Sequence, residues 1–454
     1  MASAPRLPSP PSVREPQDPL DDGETAAVPR SVWSGTGLSI AGRLWGSLCT
    51  MALLALLARH LAEAEFGRFT FYLALFALLD ALVDFGTGSV AIQRSARDGW
   101  ALAGVLKAGR RIRFALALLG LALVAGLALG FREPGAGFIV LAALYPLTHV
   151  YELSSVVFKN RLKLTVPVAV RAFGATARLL AAVLLWFAGV ERAAPYLAAT
   201  AAASAVANLL LHRAARPHLP QSMGVMPERG LFAAAWPLGV AGLCQQAYFH
   251  IDNLFVRGFA GLEELGVYNA GVRVLSVLIL SAQFAPSVGL PWLARRAHAG
   301  DLGKAAASLG QPLFALGGLL AGLLYPRRAE LLALGFGEPF RAGAPAFGWL
   351  LLAVAVIHAG APLLTAAVAA GRSQDVLVIA AGGLAVNLLG NALLVPTYAA
   401  EGAAVATLAT ELAVAFGAVL ALARAGAHPL GAHPVLWLGG PLAFGLGAGL
   451  AALV

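Results

Sequence analysis

From about residue 35 to the C-terminus, apolar segments of roughly 20 residues alternate with short polar connections, and this repeating length constrains the fold more than any other feature. A helix rising about 1.5 Å per residue needs that many residues to cross a hydrocarbon core about 30 Å thick. The segments run over 35–58, 67–92, 112–131, 136–158, 166–190, 194–212, 231–257, 264–292, 307–326, 344–370, 375–397 and 402–424, with a weaker, glycine-rich thirteenth from 433 onward. Composition points the same way. Of 454 residues, 59% are hydrophobic and 12% charged, against about 25% charged in a soluble domain. With 23 acids and 32 bases to cover it, the apolar surface needs lipid as its solvent.

Residues 1–30 carry seven prolines and no apolar run, the composition of a disordered tail. They lack the apolar middle and small-residue cleavage site of a signal peptide, so the first apolar segment is expected to direct insertion and remain. Seventeen Lys and Arg lie in or at the edge of the connections after even-numbered segments, and eight after odd-numbered ones. By the positive-inside rule the even connections and the N-terminus are cytoplasmic. The same asymmetry accounts for the net charge of +9 without invoking nucleic acid. No connection exceeds about 20 residues, which leaves no room for a soluble ATPase domain.

The chain also echoes itself. Glu65-Phe66-Gly67-Arg68-Phe69 opens segment 2 and Glu264-Leu265-Gly266-Val267-Tyr268 opens segment 8, with the two glycines 199 residues apart. An even number of crossings separates the copies, so both halves face the same way and a pseudo-twofold axis would run along the membrane normal. The expected fold is an all-α polytopic membrane protein with 12 to 13 transmembrane helices, in two pseudo-symmetric six-helix bundles around a central cleft. Its expected parts are a cytoplasmic tail (1–34), an N-terminal bundle (35–213), a cytoplasmic linker (214–230), a C-terminal bundle (231–425) and an extra apolar segment (426–454).

Catalytic signatures are missing: the sequence has no phosphate-binding Gly-x-x-x-x-Gly-Lys-Ser/Thr loop, no His-Glu-x-x-His and no Gly-x-Ser-x-Gly. Cys49 and Cys244 stand singly in apolar stretches, without disulfide or metal-ligand spacing. A transporter without cofactor or metal is therefore expected. The informative residues are charges inside apolar segments. Arg43, Arg171, Arg178 and Arg273 each cost about 2.5–3.5 kcal/mol at a helix centre, so they should face a polar interior; the competing readings are snorkelling or an ion pair with a buried acid. Arg171 and Arg178, seven apart, share one helix face.

The interior acids are Asp80, Asp84, Glu152, Asp252 and Glu411. Asp80 and Asp84 stand one turn apart and could share H+ or Na+, although Asp84, within Asp-Phe-Gly, is better explained as the cap of a helix break. Asp252 is expected to pair with an interior arginine. Asn387 with Asn391, and Thr407 with Glu411, form stripes suited to helix-to-helix hydrogen bonds. Tyr72, Tyr145, Tyr248 and Trp236 are candidates for stacking on sugar or for anchoring at the interface.

Three stretches resemble the oligosaccharide-lipid flippases of the MOP superfamily, the Wzx-type polysaccharide exporters. Residues 62–94 resemble that family's acidic-Phe-Gly-aromatic opening of helix 2 followed by Asp-Phe-Gly. Residues 250–273, HIDNLFVRGFAGLEELGVYNAGVR, are similar to its Asp-rich helix 7, Gly turn and Gly-x-Tyr opening of helix 8. Residues 387–411 resemble its Asn-rich helix 11, Pro-x-Tyr turn and small-residue helix 12. The resemblance implies movement of a polyprenyl-diphosphate-linked sugar chain across the bacterial cytoplasmic (inner) membrane, without ATP hydrolysis. Arg43, Arg171, Arg178 and Arg273 would then bind the diphosphate, which calls for fixed positive charge and forked donors. Asp80, Asp84, Asp252 and Glu411 would be the ion-coupling candidates. Two alternatives remain: a cation-coupled multidrug exporter of the related MATE branch, whose cleft should be acidic, and a membrane polysaccharide polymerase or ligase, which should carry a long outer loop bearing Arg and His.

Overall fold

A computed structural model describes residues 30–97, 102–159, 164–219, 228–431 and 437–453. Among the described residues the ordered elements are helices, with no strand. Most of the expected tail, residues 1–29, lies outside them, and the first helix starts five residues earlier than expected. The helices are α1 (Arg30–His60), α2 (Glu63–Asp84), α3 (Thr87–Arg97), α4 (Leu102–Gly130), α5 (Ala136–Ala142), α6 (Tyr145–His149), α7 (Ser155–Lys159), α8 (Thr165–Phe187), α9 (Ala193–Ala215), α10 (Glu228–His250), α11 (Asp252–Leu278), α12 (Leu280–His298), α13 (Leu302–Leu324), α14 (Arg328–Phe336), α15 (Ala344–Ala369), α16 (Ser373–Arg424) and α17 (Gly439–Leu453). Among the described residues, nine helical segments are long and apolar enough to cross a membrane. The stretch made by α11 is not one of them, since it carries Asp252, Arg257, Glu263, Glu264 and Arg273.

Several apolar segments are each built from more than one helix, and the breaks have local causes. Between α2 and α3, Phe85 (φ 38°) and Gly86 (φ 70°) are left-handed, and the Thr87 hydroxyl donates to the Asp84 carbonyl at 2.6 Å, which closes the turn. Gly239 of α10 lies against Phe85, where a β-carbon would collide. The fourth segment, expected to be one helix, divides into α5, α6, a 3-10 turn at Val150–Ser154 and α7, with Pro146 at the start of α6. Gly261 (φ 89°) kinks α11, and Ala399 (φ 47°), just after Pro396 and Tyr398, divides α16 into two arms.

Along α4, large apolar side chains face outward and small ones face inward. On α4, Phe114, Leu118, Leu119 and Leu123 are exposed, while Ala117, Gly120, Val124 and Ala128 are buried. This is the packing expected where lipid surrounds the bundle and contact between backbones holds it together. The C-terminal segment follows the same rule. Gly318 and Gly322 of α13 take the backbones of Gly440 and Phe444 so closely that a β-carbon on either glycine would clash with a carbonyl.

The echoed motifs touch one another. A β-carbon on Gly67 would strike the Leu262 carbonyl, and one on Gly266 would lie 2.5 Å from the Glu63 carbonyl oxygen. One turn further along, Asn269 Nδ2 donates to Thr70 Oγ1 at 3.0 Å, again 199 positions apart. Positions matched in the sequence repeat therefore face each other across the contact between α2 and α11, the principal link between the earlier and later helices.

Candidate functional site

A cavity of about 1000 Å³ opens between α1, α8, α9 and the fourth segment on one side and the α11–α12 region on the other. The four sequence-predicted arginines all line it. Five cations, Arg43, Lys159, Arg171, Arg178 and Arg273, face one carboxylate, Glu152. That carboxylate is already engaged: Arg171 Nη2 is 2.8 Å from Glu152 Oε1, and Arg113 Nη1 and Lys159 Nζ lie 3.6 and 4.0 Å from its oxygens. Arg178 and Arg273 lie deeper. Arg178 donates to Ser204 Oγ at 3.2 Å, and Arg273 Nε is sealed from solvent without a hydrogen-bond partner. Neither has a carboxylate within ion-pair distance among the described residues. Gly42, Gly46 and Gly174 leave the walls without side chains, and Tyr145 supplies an aromatic surface.

The predicted acids separate into different settings. Asp80 Oδ2 accepts from Tyr145 Oη at 3.1 Å, and His149 Nδ1 is 3.4 Å from Asp80 Oδ1; both partners line the cavity. His149 went unremarked in the sequence, where a lone histidine in an apolar run carries no signal. Asp84 does not share a site with Asp80. It is ion-paired with Arg113, a fully buried guanidinium whose Nε also donates to Thr87 Oγ1 at 2.8 Å. The break in the second segment thus carries its own countercharge. Asp252 was expected to pair with an arginine; instead it accepts from Tyr268 Oη at 2.5 Å and from Asn253 N and Nδ2 at 2.8 Å. Neutral donors one residue and four turns away satisfy its oxygens, and Arg273 acts on it electrostatically without forming an ion pair. Glu411 is 6% exposed, and its Oε1 has no hydrogen-bond partner.

Two other expectations also change. Asn391 Nδ2 donates to the carbonyl and side chain of Asn387 at 2.9 and 3.0 Å, and Thr407 donates to Ala403 O at 3.0 Å. The Asn387–Asn391 pair bonds along its own helix, whereas Thr407 also hydrogen-bonds Tyr268 of α11, and a further bond between helices joins Asn269 to Thr70. Trp236 packs on Phe85 and Phe232 rather than on the cavity, and Tyr72 reaches Glu133.

At the far end, where α1 finishes and α2 begins, the helices close on a second charged cluster. Glu133, 6% exposed in the turn between α4 and α5, accepts from Arg68 Nε at 2.7 Å and is ion-paired with Arg257 of α11. Arg68 also pairs with Glu65, whose other oxygen accepts from the Ala193 amide at 2.7 Å. The Arg257 guanidinium lies over the rings of Phe131 and Phe71, 4.0 and 4.4 Å from their centroids. Beside this cluster Phe66 meets Phe340 edge-on at 5.3 Å. Sequence reasoning missed it because Arg68, Glu133 and Arg257 stand at the ends of apolar segments, where charges are ordinarily solvated.

A family model described as polysaccharide biosynthesis protein matches residues 32–296. No curated protein matches by sequence. Among solved structures, the chain is similar to the lipid II flippase MurJ in an inward closed conformation (TM-score 0.68, 10% identity, 90% of this chain and 92% of that one). It is also similar to a point mutant of the Vibrio cholerae MATE transporter VcmN (0.62, 14%, 87% and 96%). A third likeness is to a MOP superfamily transporter from Pyrococcus furiosus whose description notes a reversed polarity of its binding pocket (0.63, 12%, 90% and 96%). At these identities the likeness is one of fold.

Proposed function

The chain belongs to the polysaccharide biosynthesis protein family, and on that premise we propose that it is a flippase moving a polyprenyl-diphosphate-linked oligosaccharide across the bacterial cytoplasmic membrane by alternating access. The observation that carries this reading is the pair Arg178 and Arg273, set without a carboxylate at ion-pair distance among the described residues in a cavity of about 1000 Å³ whose lining holds five cations and one carboxylate. In a site of low dielectric, guanidinium forks are the side chains best suited to a diphosphate, and burial strengthens each bond they make.

In this reading residues 35–213 and 231–425 act as two halves meeting at Gly67 and Gly266. The cavity mouth, near Lys159 and Arg171, lies on the side assigned to the cytoplasm by the distribution of basic residues. The far end, held by Glu133 between Arg68 and Arg257, is then the closed outer side, and the state described is inward-facing. The diphosphate enters between Arg171 and Arg178 and passes to Arg273, the sugar lies beside Tyr145, and the prenyl chain remains in lipid. Rocking of the halves breaks the Glu133 contacts and opens the outer side. Asp80, with Tyr145 and His149 at the cavity wall, is the first acid to test for coupling to H+ or Na+; Asp84, tied to Arg113, ranks below it, and Asp252 and Glu411 lie among the later helices.

The MATE reading shares the fold but not the charge: a cavity of five cations repels a cationic drug. The polymerase or ligase reading wanted an outer loop with Arg and His, whereas residues 327–343 form α14 and a short 3-10 turn and contain no His. The test is reconstitution into liposomes with a fluorescent polyprenyl-diphosphate sugar, scoring accessibility to a membrane-impermeant quencher. Protein-dependent exposure that falls in an Arg178→Ala/Arg273→Ala variant is expected. Equal exposure in protein-free vesicles, with the protein folded, contradicts the proposal.

A further inference from the structure

A second concavity, of about 530 Å³, lies between α4, the 3-10 turn at Val150–Ser154 and Leu219, apart from the cavity described above. One face of α4 supplies Lys107, Arg110, Arg111 and Phe114, spaced i, i+3, i+4 and i+7. The fourth cation of that stretch, Arg113, turns the other way into its pairing with Asp84. Three cations therefore line the groove with no carboxylate among them, and Leu147 and Tyr151 form the opposite wall.

Arg110 is held there. Arg110 Nη2 donates to Ser154 Oγ at 3.0 Å and lies 3.3 Å from His212 Nδ1, while its Nε has no hydrogen-bond partner. Lys107 and Arg111 are exposed, and Arg111 reaches Glu228, outside the lining, at 2.6 Å. Beyond the groove the exposed stripe of Phe114, Leu118, Leu119 and Leu123 continues along a helix long and apolar enough to cross a membrane. Fixed positive charge at one end of a lipid-facing apolar stripe complements an amphiphile with an anionic head and an aliphatic tail. A free phosphate would use the cations but leave Phe114 and the stripe without a partner.

We propose that this groove binds the headgroup of an anionic membrane phospholipid, with an acyl chain lying along α4. The proposal needs only that α4 crosses a membrane, so it stands or falls separately from the transport reading. The test is native mass spectrometry of the full chain with dioleoyl-phosphatidylglycerol, dioleoyl-phosphatidylcholine or inorganic phosphate. Wild type should retain the anionic lipid in preference to the neutral one. Lys107→Gln/Arg111→Gln should reduce that preference at least fivefold, about the equivalent of 1 kcal/mol for one basic side chain near an anionic surface. A charge-matched Lys304→Gln/Arg424→Gln variant should keep it.

An equal loss in both variants, no loss in the groove variant, or retention of inorganic phosphate as tight as that of the lipid overturns the proposal. Photo-crosslinking of wild type with a photoactivatable phosphatidylglycerol gives a second readout that needs no variant. Adducts within residues 103–114 or 147–151 are expected, and adducts confined to other helices contradict the proposal.

Discussion

The two ends of the contact between the earlier and later helices treat arginine in opposite ways. At the far end, Arg68 and Arg257 converge on Glu133, and each finds a second partner, Glu65 for one and two aromatic rings for the other. In the cavity, Arg178 and Arg273 converge on open space, with one hydroxyl for the first and no carboxylate for either. A buried ion pair contributes little net stability, but it fixes geometry, because removing one partner strands the other charge. An unpaired guanidinium fixes nothing and stays costly until an anion arrives. In the proposed mechanism the paired cluster is the closure and the unpaired one the receptor.

That contrast can be broken at either end. The largest effect is expected at Glu133. Glu133→Ala leaves Arg68 and Arg257 uncompensated, a loss of about 3–5 kcal/mol for the closed state, read as a lower thermal midpoint in detergent. An unchanged midpoint would mean that solvent already screens the cluster. Next come Arg178→Ala and Arg273→Ala, each removing charge-assisted bonds to a diphosphate worth about 1.5–3 kcal/mol, roughly 10- to 100-fold in affinity by direct titration. These variants should fold, since neither side chain is in an ion pair with a protein carboxylate and Asp80 and Asp252 keep their hydrogen bonds to Tyr145 and to Tyr268 and Asn253.

Gly67→Val attacks the joint itself. The added carbons collide with α11, so overpacking of about 1–3 kcal/mol should favour a state open at the far end. Spin labels placed at Phe66 and Phe340 should report a longer mean distance than in the parent; an unchanged distance would show that the contact has slack. The smallest effect is expected for Arg171→Gln, less than about threefold on affinity, because its guanidinium is half-exposed and already bound to Glu152.

Much of this arrangement was legible in the sequence, for physical reasons that also mark where legibility ends. The cost of a charge inside an apolar segment drew attention to Arg43, Arg171, Arg178 and Arg273, and the same cost gathers them at a polar cavity. The repeat around Gly67 and Gly266 was visible as spacing; that the two copies touch was not, because spacing along the chain does not say which segments pack together. Glu133 and Arg257 were illegible because charges at segment ends are ordinarily solvated. Only the fold brings the α4–α5 turn over α11. Asp252 takes its hydrogen bonds from the local donors Asn253 and Tyr268 and keeps Arg273 as an electrostatic neighbour without an ion pair, a division that spacing along the chain does not show. The division of the fourth segment was missed too, as apolar length alone does not reveal how Pro146 interrupts it.

The most direct test of the central claim is calorimetric titration of the purified protein with a short-chain prenyl diphosphate, beside the matching monophosphate and a lipophilic cation. The account predicts saturable binding of the diphosphate, weaker binding of the monophosphate, and loss of both in the Arg178→Ala/Arg273→Ala variant. Saturable binding of the cation, or diphosphate binding unchanged in that variant, would contradict it.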